Sequence, residues 1–249
     1  MNKTLLILSA VSIGLVASSE AVSVFWAFQT DASTTTNQTA PNFNDMASTP
    51  VITMFAGSDG ASTQYPGTGG ASSFSYNGVT YGGSGGSGTD GRSLQWSVAA
   101  NSNNSLIGSG FTVSNINLTN LQDLTMRFDI RSASGLTSPA APTTFTSIEY
   151  SLNGGSSWVD ITGSLAVPTW VGATSSPFSV EDVDFSSIAA IEGQSNVSLR
   201  FVFSNGGTDP TTNQNIRLDN LLFSAVPEPS TLALVGVLGI AGMVRRKRA

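Results

Sequence analysis

Residues 124–131 read LTMRFDIR and alternate without a break. In an extended chain Leu124, Met126, Phe128 and Ile130 fall on one face, and Thr125, Arg127, Asp129 and Arg131 on the other. A helix would scatter those four apolar groups around its axis, so the period of two selects a half-buried antiparallel strand. Residues 197–203 (VSLRFVF) repeat the pattern, with Val197, Leu199, Phe201 and Phe203 as a second core stripe. Working outward, residues 22–29, 93–99, 110–118, 178–185 and 216–223 are further short runs rich in branched and aromatic residues. Residues 146–152 and 157–161 flank Asn153-Gly154-Gly155, a hairpin signal. Only residues 186–191 suggest a helical turn. Many short strands separated by Gly-rich turns predict an all-β chain folded as a two-layer antiparallel β-sandwich of about eight to ten strands. Trp26, Trp96, Trp158 and Trp170 suit core packing, with Trp170, beside Pro168, expected to be the most exposed.

Composition narrows the chemistry. The chain has 249 residues and neither Cys nor His, which closes disulfides, thiolate nucleophiles, imidazole bases and imidazole-bound metals. What remains is hard-oxygen coordination of calcium-like ions. The body, residues 22–225, carries 14 acids, five Arg and no Lys, a net charge of −9. Such a surface repels polyphosphate, and nucleic acid is not an expected partner.

The two ends differ in character from this body. Residues 1–21 place Lys3 before an apolar run and then small residues, the plan of a secretory signal peptide cut by signal peptidase after Ala21. Residues 226–249 hold Pro227-Glu228-Pro229, an uncharged run over 232–244, and Arg245, Arg246, Lys247 and Arg248. Thirteen residues make about 20 Å of helix, short of a bilayer core of roughly 30 Å. The basic block keeps the end cytoplasmic and the body outside.

This three-part end resembles the PEP-CTERM sorting signal of Gram-negative bacteria. The resemblance implies transient membrane insertion through a short hydrophobic helix, and an exosortase-type membrane enzyme that cuts near Pro227, Glu228 and Pro229. It also implies delivery to the cell surface or extracellular matrix, often beside exopolysaccharide and biofilm. The body in turn looks like the jelly-roll domains that precede such signals, relatives of carbohydrate-binding modules.

Four features of the body invite a site. Residues 57–91, rich in Gly, Ser and Thr, read as a mobile or ligand-covering loop, with Tyr65, Tyr76 and Tyr81, together with Trp170, as candidate glycan contacts. Residues 151–158 (SLNGGSSW) resemble an Asp-box hairpin with Asn153 in place of the Asp, a structural turn and not a catalytic signature. Asp219 lies inside the last apolar run and needs a partner: Arg217, Arg200, or a structural calcium shared with Asp31. Glu181, Asp182 and Asp184 form a second acidic group, with Asp182 and Asp184 together on a solvated face. The expected function is a non-enzymatic surface or matrix protein; a lectin-like carbohydrate-binding module is the alternative, and a glycan-cleaving enzyme the remote one.

Overall fold

The computed structural model describes residues 20–28, 38–56, 62–68, 74–76, 79–81, 92–98, 106, 108–133, 143–170, 178–204 and 214–228. The signal peptide through Ser19, Asp31, Pro229, the hydrophobic run and the basic block lie outside the described residues.

In chain order the strands begin with β1 (Val22–Trp26), β2 (Gln38–Thr39), β3 (Phe43–Asn44), β4 (Val51–Phe55) and β5 (Ser62–Thr68). They continue with β6 (Phe74–Tyr76), β7 (Val79–Tyr81), β8 (Arg92–Val98), β9 (Gly110–Ile116) and β10 (Leu121–Ala133). The remainder are β11 (Thr143–Ser151), β12 (Val159–Asp160), β13 (Thr169–Trp170), β14 (Ser179–Asp184), β15 (Val197–Ser204) and β16 (Gln214–Pro227). The only regular helix among the described residues is one 3-10 turn at Thr162–Ser164. Residues 186–191 form successive i to i+3 turns, with Ile188 N–H on Phe185 O and Ile191 N–H on Ile188 O.

Two antiparallel sheets face each other across one core. The first runs β14-β10-β16-β1-β3, with β8 also paired to β16 and β5 to β8. The second runs β12-β11-β15-β9-β4-β2, with β13 on β11. The chain crosses between them from β8 to β9, from β9 to β10 and again from β10 to β11, the crossing habit of a jelly roll. Both stripes named from the sequence are buried: Leu124, Met126, Phe128 and Ile130 from the first sheet, Val197, Leu199, Phe201 and Phe203 from the second. Aromatic rings fill the gap between the layers. Phe111 stacks on Phe201 at 4.7 Å, and Trp96 meets Phe203 edge-on at 4.9 Å. The Trp96 indole N–H reaches across to the Gly110 and Phe55 carbonyls, so this buried donor also ties the layers together.

Three expectations need correction. Trp170 is not exposed. Pairing of β13 with β11 sets it opposite Thr143 and drives its indole among Phe128, Phe145 and Phe203, leaving 3% of its surface accessible. Residues 57–91 are not one loop. Their described backbone forms β5 against β8 and the hairpin β6–β7, because ladder hydrogen bonds do not depend on how apolar the side chains are. The strands outnumber the eight to ten expected, since two- and three-residue pairings form in stretches too short to show a period.

Candidate functional site

The end of β16 is where the fold meets the C-terminal signal. Val22 pairs with Ala225 in β1–β16, and Leu121 and Gln122 of β10 pair with Pro227 and Val226. Glu228 N–H then donates to the Asn120 carbonyl at 2.8 Å. Pro227 fits this position because its missing N–H falls at the end of the ladder, where no rung requires it. The first two residues of Pro227-Glu228-Pro229 are therefore held by the body. Ala21 and Glu20 are exposed just before β1, so both expected processing points flank one end of the same strand pair.

A second polar site lies on the face of the first sheet turned away from the core. Asp129 of β10 stands directly across from Asp219 of β16, 8% and 4% exposed. A bulge follows on β16, where Asn220 takes the left-handed conformation (φ 47) that Asn tolerates better than most residues. Its backbone N–H donates to Asp219 Oδ1 at 2.8 Å and its Nδ2 to Asp129 Oδ2 at 2.7 Å. The Asn220 Oδ1 is buried without a hydrogen-bond partner. Burial pushes the Asp129 carboxyl above its usual range, against the Asn220 hydrogen bond and the Arg127 charge, which lower it. Two carboxylates and an orphaned amide oxygen are hard donors of the kind that holds calcium.

The next rung on the same face reverses the charge. Arg131 stands opposite Arg217, Arg217 opposite Gln95 of β8, and Gln95 opposite Gln64 of β5. Arg217 Nε donates to Gln95 Oε1 at 3.2 Å. Arg131 lies over the Phe178 ring at 5.8 Å, and its Nε is buried with no hydrogen-bond partner.

The second sheet's outer face carries the Asn153 hairpin. Ser151 Oγ–H donates to Asn153 Oδ1 at 2.8 Å, and Ser157 N–H donates to the same oxygen at 3.0 Å. Asn153 Nδ2 returns a bond to Ser157 Oγ at 2.8 Å, so the amide replaces the carboxylate with one donor more. Trp158 packs on the turn beside Gly155 and takes the Arg200 guanidinium on its face at 4.4 Å, while Arg200 also pairs with Glu149.

The sequence-named residues divide accordingly. Asp219 finds Asn220 and Asp129; Arg200 lies in the other sheet against Glu149, and Arg217 bonds Gln95. Asp182 is solvated and pairs with Arg127 at 3.4 Å, while Asp184 accepts the Ser186 N–H at 2.8 Å. The backbones of Tyr65, Tyr76 and Tyr81 lie in β5, β6 and β7; their side chains are outside what is described. Sequence reasoning missed Asp129, which sits in the polar phase of LTMRFDIR and reads as solvent-facing.

Comparison with known proteins bears on the C-terminal end. Residues 225–248 match the family model described as the PEP-CTERM protein-sorting motif, starting within the last residues of β16. No curated protein matches the chain. Among solved structures it is similar to the K1 cleaved adhesin domain of Lys-gingipain (Kgp) from Porphyromonas gingivalis W83, at 11% identity. That likeness covers 81% of this chain and 96% of the other with a TM-score of 0.37, too low to carry an argument. The chain thus carries a PEP-CTERM sorting motif on a β-sandwich, and is an exported protein whose membrane-anchored precursor is processed by an exosortase-type enzyme.

Proposed function

We propose that this is a non-enzymatic cell-surface or matrix protein that works in contact with exopolysaccharide, its body released from the membrane by cleavage beyond Glu228. The observation that carries the reading is the continuity of β16 with the sorting motif. Backbone engaged in a ladder is hidden from a protease, whose cleft needs free extended chain. The cut therefore falls C-terminal to Glu228, and the released body keeps all of β16. Signal peptidase, cutting after Ala21, completes the processing. Structural calcium at Asp129, Asp219 and Asn220 Oδ1 belongs to the same reading and is supported by that orphaned buried oxygen.

The test is fractionation of producing cells with and without their exopolysaccharide. The processed protein is expected to sediment with polysaccharide-rich matrix and to move to the clear medium when the polymer is absent or digested. Equal distribution in both strains would overturn the matrix role.

A further inference from the structure

The polar row of Arg131, Arg217 and Gln95 on the first sheet has no explanation in sorting or in packing. Arg131 and Arg217 face each other across one β10–β16 rung, an arrangement of like charges that costs stability unless a counter-charge sits between or above them. Among the described residues neither makes an ion pair, although Arg127 and Arg200 both do. On the neighbouring rung Asp129 Oδ2 and Asp219 Oδ1 are both engaged by Asn220. Burial and the nearby Arg131 charge both disfavour the Arg217 cation, which a bound anion would restore. Phe178 and Gln95 meanwhile hold the two side chains in place, and Arg131 Nε is left without an acceptor.

We propose that Arg131 and Arg217, with Gln95 beside them, form a seat for the carboxylate of an acidic sugar in an anionic polysaccharide. A planar carboxylate takes two parallel N–H donors from a guanidinium, which matches what this rung leaves open. The rest of the chemistry selects a saccharide with sparse charge. At −9 the body as a whole repels dense polyanions, so only isolated carboxylates spaced by neutral hydroxyls reach a local cationic rung. The row continues from Arg217 to the Gln95 amide of β8, a group suited to a sugar hydroxyl. This seat rests on the exopolysaccharide reading and names the class of sugar within it.

The experiment uses the exported, processed protein and two probes, gellan, whose single glucuronate per repeat is flanked by neutral sugars, and neutral dextran, in affinity electrophoresis at low salt. Gellan should retard the protein and dextran should not. Arg131→Gln and Arg217→Gln should each weaken retardation tenfold or more. Gln95→Glu supplies a built-in carboxylate to Arg217, so it should abolish retardation while leaving the melting temperature equal or higher, which guards against loss through misfolding. Wild-type protein that ignores gellan, or a Gln95→Glu variant that binds it normally, would overturn the seat. If the seat fails while the protein still sediments with its own exopolysaccharide, the matrix role stands without it.

Discussion

Asn220 shows how much one residue organises. Its left-handed backbone creates the bulge, its N–H and Nδ2 engage two buried carboxylates, and its Oδ1 is left over. An unpartnered buried amide oxygen costs about 1–3 kcal/mol, and two facing carboxylates add to that cost. A cation between them would relieve both. Calcium at roughly 100 times its dissociation constant should stabilise the protein by about 2.7 kcal/mol. For a body of about 200 residues that corresponds to a rise of about 5–10 °C in melting temperature. Asp129→Asn keeps an acceptor for Asn220 Nδ2 and removes a buried charge. In chelator the variant should melt at or above wild type, and calcium should no longer raise its melting temperature. Calorimetry in which wild type melts identically with calcium and with chelator would leave the cluster as plain hydrogen bonding.

At the scale of strands, legibility followed period. β10 and β15 were readable because each places four apolar residues on one face over at least seven positions, enough for alternation to be distinguished from chance. β13 is two residues long, so nothing local told that Trp170 turns inward; its burial is decided by pairing with β11, a contact made 27 residues away. Asp129 was misplaced for a related reason. Alternation gives the face but not whether that face is covered. β9 illustrates a constraint invisible in sequence: a Cβ at Gly110 would lie 1.9 Å from the Phe201 carbonyl oxygen and 2.9 Å from the Phe55 ring. Backbone cannot yield there without breaking the β15–β9 rungs. Gly110→Ala should destabilise the fold by about 3 kcal/mol, the upper part of the overpacking range, in a denaturant titration. A loss below about 0.5 kcal/mol would show that the strands can separate there.

For the whole molecule the decisive feature is that the first and last strands of the body pair with each other. β1 begins at Val22 and β16 ends at Pro227, antiparallel neighbours in the first sheet. The sorting motif was readable from its three parts in order, whereas its docking onto Asn120, Leu121 and Gln122 needed the fold. The central claim, an exported sandwich released beyond its last strand, is tested most directly by the intact mass of the protein recovered from the surface of producing cells. The account predicts a chain beginning near Val22, retaining Glu228 and lacking Arg245, Arg246, Lys247 and Arg248. A chain that ends before Pro227, or one that keeps the basic block in the surface pool, would contradict it.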